Sequence, residues 1–175
     1  MSSTYTCAHC GQEHDGLPTD WGFKLPDEVH ALSYLERYAR TRHCADLCAL
    51  DESRWFIRAL LPIPLQEAQA DEVFNWGVWI EVDKATHDLY VTSWDEDISD
   101  RPRANGQIAN DLKVYGGTIG LPVEIEFRSG TERPLAWCPV DTVNAVALEQ
   151  RGGISSRRHH DILTAVGYFD DEAAA

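Results

Sequence analysis

The sequence has little positive charge. Its 175 residues include 15 lysines and arginines against 29 aspartates and glutamates, so the formal net charge is -14 and the isoelectric point is near 4.7. Binding to nucleic acid or to an anionic membrane depends on positive charge that covers phosphate groups. The composition therefore disfavours direct contact with nucleic acid or membranes, and the partner that this charge would attract is a basic protein.

The sequence also lacks a long apolar run and a basic, apolar leader at its start. Residues 1–4 are Met-Ser-Ser-Thr, and the longest mostly apolar run, at 59–65, is interrupted by Pro62 and Pro64. A signal peptide or a membrane-spanning helix needs a longer apolar segment than this. We therefore expect a cytoplasmic protein, in which the cysteines are thiols or metal ligands rather than disulfides.

Common catalytic motifs are missing as well. The sequence has no H-E-x-x-H, no G-x-S-x-G, no G-x4-G-K-[ST] and no H-x-E paired with P-C-x-x-C. These patterns mark zinc proteases, serine hydrolases, phosphate-binding loops and zinc deaminases. Their absence favours a protein without enzymatic activity and leaves the enzyme class open.

What the sequence does contain is the periodicity of a mainly antiparallel sheet. The segment 74–82 alternates and is rich in aromatic and β-branched residues, as a half-buried strand requires. Turn signals at 51–53 and 129–131 predict two hairpins. The predicted strands are 46–50, 55–61, 74–82, 107–114, 121–128 and 133–140. Pro62 and Pro64 are expected to close the second of them.

Helical periodicity adds two or three flanking helices, which makes the predicted fold class α+β. The first helix is predicted to start at Pro26 and to bury a stripe that includes Leu35 and Ala39. The segment 84–94 fits either a helix or a strand, and we favour the helix. Further helices are predicted over 144–150 and from Ser155 or Ser156 onwards.

Two tryptophans of the central strand could matter for binding. Trp76 and Trp79 are three positions apart, so in a strand they face opposite sides of the sheet. One of them is expected to be partly exposed and able to anchor a partner.

The most specific local pattern is Cys7-x2-Cys10 followed by a glycine, which is typical of a zinc knuckle. A tetrahedral zinc needs two further ligands. One interpretation adds Cys44 and Cys48 to give four thiolates. The other adds His14 and Cys48, and leaves Cys44 as a small buried residue. Ordinary thiols and a redox pair are the alternatives to a metal site.

We treat the zinc as structural, because a structural site uses four protein ligands whereas a catalytic one keeps a position for water. The alternative is a zinc-dependent hydrolase. In that case the three cysteines of the second interpretation hold the metal, His14 or water takes the fourth position, and Glu13 or Asp15 acts as the base.

A single domain is predicted over residues 1–175, because this length and a hydrophobic content of 43% suit one core. Within it, residues 1–25 are predicted to form the zinc-knuckle segment and a loop. Residues 170–175 are predicted to be a frayed acidic tail.

Several blocks of the sequence resemble a bacterial family of unknown function, the domain of unknown function numbered 2199. The opening run is Cys7-x2-Cys10-Gly11-x2-His14-x-Gly16-Leu17-Pro18. The later blocks are Asp46-Leu47-Cys48, Phe56-Ile57-Arg58, Phe74-x-Trp76-Gly77-x-Trp79 and Leu148-Glu149-Gln150-x2-Gly152-x-Ile154. The resemblance therefore spans nearly the whole chain.

The resemblance implies a metal knuckle and favours Cys48 over Cys44, so that the ligands would be Cys7, Cys10, His14 and Cys48. This chain departs from the family pattern at Asn144-Ala145, where the pattern has a histidine and a proline. The family supplies no reaction.

Together these features predict a non-enzymatic interaction protein with a structural zinc, for example an immunity or antitoxin-like protein. Its acidic surface would engage a basic protein partner.

Overall fold

The structure is a computed structural model that describes residues 5–6, 11, 13–14, 16–66 and 72–170. Strand β1 (Tyr5–Thr6) pairs antiparallel with β2 (Glu13–His14), so that Tyr5 lies opposite His14. Cys7 and Cys10 lie outside the described residues. The predicted frayed tail beyond Asp170 also lies outside them.

The remaining elements follow in chain order and end with two helices. The strands are β3 (Asp20–Gly22), β4 (Thr41–His43), β5 (Leu47–Leu50), β6 (Arg54–Pro64), β7 (Val73–Val82), β8 (Ala104–Ile108), β9 (Pro122–Glu126) and β10 (Leu135–Trp137). The helices are α1 (Asp27–His30), α2 (Tyr34–Arg40), α3 (Lys84–Thr92), α4 (Ala145–Gly152) and α5 (Ser156–Ala165).

The sheet is organised around the long hairpin of β6 and β7, whose register runs from Trp55 opposite Val82 to Pro64 opposite Val73. From β7 the antiparallel pairing continues through β8, β9 and β10, and β10 returns to β6 with Leu135 opposite Leu60. Five strands therefore close a ring. Strands β5 and β4 extend β6 outwards, and β3 lies parallel to β7.

The predicted end of the second strand at Leu61 is wrong, because β6 continues through Pro62 and ends at Pro64. The N–H of Leu60 points away from β7 and donates to the Pro134 carbonyl at 2.9 Å. N–H directions alternate along a strand, so positions 62 and 64 also point away from β7. The prolines therefore remove no hydrogen bond from the long hairpin.

The two faces of β7 bury different clusters. Trp76 belongs to the main core, which lies within the ring, and Trp79 belongs to a second cluster under α1. The expected opposite orientation is confirmed. The expected exposure of one ring is wrong, because both side chains are 0% exposed, and Val29 of α1 and the preceding Leu25 pack over the outer face.

The first predicted helix is broken in two. Helix α1 ends at His30, and Ser33 caps α2: the Glu36 N–H donates to the Ser33 hydroxyl, and the Ser33 N–H donates to the Glu36 carboxylate. Val29 is buried as expected, but Leu35 is 74% exposed and Ala39 is exposed too. The predicted buried stripe is therefore wrong beyond Ser33.

The ambiguous segment 84–94 is helical, because α3 covers Lys84–Thr92 and the Asp83 side chain caps it. Five helices lie in the described part of the chain, where the sequence predicts two or three. The predicted strand 107–114 overlaps β8 only at Gln107 and Ile108 and is wrong beyond them, because β8 covers Ala104–Ile108. None of the described helices combines the length and the apolar character that crossing a membrane requires.

Candidate functional site

Among the predicted zinc ligands Cys7, Cys10, His14 and Cys48, only Cys48 has a side chain that the structure describes. It lies on β5 opposite His43, and its side chain is 0% exposed. Its neighbours in the second cluster are Leu25, Val29, Leu50, Phe56 and Trp79. In the described structure Cys48 therefore packs as a core residue.

Burial, together with a smaller contribution from the nearby Cys44, raises the pKa of the Cys48 thiol to about 12. A zinc ligand must be a thiolate, so a metal at this position would have to offset that burial. Cys44 is exposed in the turn between β4 and β5, where its N–H donates to the Leu47 carbonyl at 2.9 Å. The interpretation of Cys44 as a buried residue is therefore wrong.

The other predicted ligands and bases are not described at the side-chain level. Cys7, Cys10 and Asp15 lie outside the described residues, as do the side chains of Glu13 and His14. Within the described residues, no three His, Cys, Asp or Glu side chains form a group that could hold a metal ion. The zinc site stays a prediction.

Helix α2 presents its apolar side to solvent. Tyr34, Leu35 and Tyr38 are 79%, 74% and 78% exposed, and no residue of this fully described helix is buried. Positions 34, 35 and 38 share one face of a helix. A surface helix normally turns such a face towards the core. In α2 this apolar face instead points to solvent. We call Tyr34, Leu35 and Tyr38 the α2 face.

The polar side of α2 is held against the protein. The Arg37 guanidinium donates to the His30 and Leu32 carbonyls at 3.0 and 3.1 Å. Arg40 forms a two-point ion pair with Asp51 at 2.9 and 2.7 Å. These bonds fix the helix so that the α2 face points outwards. Beside it, β4 is the outer strand of the described sheet.

A cavity of about 230 Å³ lies on another side of the protein, near the end of α5. Its aromatic wall consists of Trp21, Phe23 and Trp76, and the Phe23 and Trp76 rings are 6.4 Å apart between centroids. The loop after β8 supplies Asp111 and Lys113. The cavity therefore combines aromatic surface with one carboxylate and one ammonium.

The loop that carries Asp111 is tied to α1. The Asp111 N–H donates to one Asp27 oxygen at 2.7 Å, and the Asn110 amide donates to the other at 2.8 Å. The Oδ1 atom of Asp111 is buried and accepts no hydrogen bond from any described residue. Buried polar atoms normally have a partner, so this oxygen is an exception that points to a missing donor.

A polar cluster adjoins the aromatic wall at Trp76. The Trp76 indole donates to the Tyr115 hydroxyl at 3.4 Å, and that hydroxyl donates to Glu149 at 2.8 Å. Arg158 donates to the second Glu149 oxygen at 2.7 Å. Burial holds the pKa of Tyr115 well above its usual range, so the hydroxyl remains a donor. The cluster stabilises the packing of α4 and α5 beside the cavity.

Sequence reasoning singled out Trp76 but missed the polar residues of the cavity. Asn110 and Asp111 fall inside a predicted strand, and their partner Asp27 is more than eighty positions away. The one sequence signal for this part of the cavity is the pair Asp111 and Lys113, which follow shortly after the end of β8 at Ile108. Glu149 lies in one of the family blocks and accepts from the Tyr115 hydroxyl. Asn144, where the chain departs from the family pattern, caps α4 by accepting from the Val146 N–H at 3.0 Å.

The fold and these sites define an α+β protein, mainly sheet, built on a closed ring of strands with an outward-facing apolar helix. The chain belongs to the family described as uncharacterized protein conserved in bacteria (DUF2199), whose model matches residues 6–154. The resemblance drawn from the sequence is thereby confirmed. Neither a search of curated proteins nor a search of solved structures gave a match.

Proposed function

We propose that this protein is a non-enzymatic protein-interaction module, of the immunity or antitoxin-like kind, whose partner is a basic protein. The observation that supports the proposal is the α2 face, where Tyr34, Leu35 and Tyr38 are each more than two-thirds exposed. Aromatic side chains that are exposed together supply most of the binding energy at protein interfaces.

The α2 face is small, so a partner would contact more than the helix. The α2 face has three side chains, whereas a standard interface uses about 20–30 residues on each side. The neighbouring strand β4 lies at one end of the described sheet, where an extended segment of a partner could add to it. A face of three side chains is also too small for a stable dimer formed through α2 alone.

The charge supports a basic partner rather than a second copy. The net charge is -14, so two copies repel each other. Many arginines are already occupied, because Arg40, Arg54 and Arg133 pair with carboxylates of the same chain. Exposed carboxylates remain after α3, at Asp95 and in the turns that follow. The resulting field would steer a basic protein towards this one.

We expect a triple variant, Tyr34→Ala, Leu35→Ala and Tyr38→Ala, to lose partner binding by at least about thirtyfold, since hot-spot residues contribute about 2 kcal/mol or more. Folding should be unaffected, because exposed substitutions change stability by less than about 0.5 kcal/mol. The measurement is the affinity for the stoichiometric partner captured from extracts of the bacterial host, with melting curves alongside.

The matched control is the double variant Val140→Ala and Val143→Ala, which removes apolar side chains that are 88% and 84% exposed elsewhere. The proposal requires that the control binds normally, that the partner is basic, and that binding weakens as ionic strength rises. A partner retained by the triple variant, or a dimer of this chain in light scattering that the triple variant dissolves, would contradict it.

We also propose that a structural zinc is held by Cys7 and Cys10, with His14 and Cys48 completing the site and Cys44 as the alternative ligand. The pairing of β1 with β2 supports a knuckle, because these strands flank the cysteine pair and bring His14 opposite Tyr5. The burial of Cys48 opposes this assignment, because a buried thiolate costs free energy that zinc binding would have to offset.

Untagged protein is expected to contain about one zinc per chain by mass spectrometry, because a closed four-ligand site binds zinc tightly. Cys7→Ser should lose the metal. Comparison of Cys48→Ser with Cys44→Ser identifies the contributing thiol. A content below about 0.2 zinc per chain would remove the zinc proposal. X-ray absorption showing four protein ligands and no water would exclude the hydrolase alternative.

A further inference from the structure

We propose that the cavity beside Trp21, Phe23 and Trp76 binds a small alkylammonium ion. At about 230 Å³ the cavity is smaller than the roughly 300–1,000 Å³ of pockets for drug-sized ligands. It therefore suits a ligand of only a few non-hydrogen atoms. This site is separate from the α2 face and does not depend on the protein-interaction function.

The aromatic wall supports a cationic ligand. Ring faces attract alkylammonium groups through their quadrupoles, and the attraction grows when water is excluded. Trp21 and Phe23 are partly exposed and present ring surface to the cavity, whereas Trp76 is 0% exposed and supports Phe23, to which it lies nearly parallel at 24°. The Trp76 ring is fixed further by edge contacts with Phe74 and Tyr115. The wall is therefore preorganised before any ligand arrives.

Asp111 supplies the opposite charge. Its Oδ1 atom is buried without a hydrogen-bond donor among the described residues, although burying a carboxylate oxygen without a donor is costly. The bond from its N–H to Asp27 fixes the backbone at this position. Asp111 lines the cavity, so the positive charge of a bound ligand would offset the cost of this buried oxygen.

Lys113 lines the same cavity and is exposed. Its ammonium repels a cationic ligand, but solvent and salt screen an exposed charge. This arrangement makes opposite predictions for the two charged residues. Removing the Asp111 charge should weaken cation binding, and removing the Lys113 charge should strengthen it.

Choline and 3,3-dimethylbutan-1-ol are suitable probes, because they share shape and hydroxyl group and differ in charge. Isothermal titration of the full chain is expected to show choline binding at least about tenfold more tightly than the alcohol. Asp111→Asn should weaken choline binding by about tenfold, and Lys113→Gln should strengthen it by about threefold. Trp21→Leu should weaken it by removing a ring.

The charge-matched control is Asp95→Asn, an exposed carboxylate that does not line the cavity. It should leave choline binding within about twofold of the original, and melting curves verify that each variant is folded. Equal binding of choline and the alcohol would overturn the proposal. Unchanged binding in folded Asp111→Asn together with folded Trp21→Leu would also overturn it.

Discussion

Gly106→Ala is expected to destabilise the protein by about 2–3 kcal/mol, because the new methyl group has no space. Gly106 lies in the middle of β8, opposite Val123 of β9. A Cβ atom at this position would overlap the Cγ2 atom of Ile80 and approach the Glu81 carbonyl oxygen to 2.9 Å. Ile80 is 0% exposed and Glu81 contributes backbone, so neither neighbour can move cheaply.

The matched control is Gly152→Ala at the end of α4, where a Cβ atom meets nothing within 4 Å. Alanine favours a helix over glycine by up to about 1 kcal/mol, so this variant should be neutral or slightly more stable. Urea denaturation of both variants measures the difference. A Gly106→Ala loss no larger than that of Gly152→Ala would show that the ring is looser than the structure indicates.

Asn110→Ala is expected to lower the free energy of unfolding by about 3 kcal/mol or more. The Asn110 side chain is 0% exposed and accepts a hydrogen bond from the Trp79 N–H at 2.8 Å. Its amide donates to the Leu25 carbonyl at 2.9 Å and to the Asp27 carboxylate at 2.8 Å. Alanine leaves these groups buried without partners and opens a small void.

Asn105→Ala is the control, since Asn105 lies on the neighbouring β8 and is exposed. It should change stability by less than about 0.5 kcal/mol. Denaturant titration, with the slope compared between variants, separates lost stability from a changed unfolded state. Equal stability of the two variants would mean that water replaces the Asn110 amide, and that Asn110 does not hold α1 against the sheet.

The sequence predicted the elements whose signal is local. Alternation located β7 almost to the residue, and the turn signals placed both hairpins correctly. The prediction failed where the same local pattern is compatible with two structures. Pro62 ends a strand unless its missing N–H points away from the partner, and only the register of β6 and β7 decides that.

The candidate sites were less accessible to sequence reasoning. The apolar positions of α2 were predicted to be buried, because periodicity identifies an apolar face but does not say what covers it. In the structure Leu35 faces solvent, since Arg37 and Arg40 bind the protein on the other side. For the tryptophans of β7 the error is the reverse: one of them is predicted to be partly exposed, but α1 covers Trp79.

The sequence by itself determined the net charge of -14, the α+β class, the central strand β7 and the membership in the bacterial family. These properties follow from composition, short-range periodicity and motif spacing. Only the tertiary structure decided that the strands close a ring, that α2 turns its apolar side outwards and that Asp111 borders an aromatic cavity. Each of these depends on contacts between residues far apart in the chain, which local patterns do not encode.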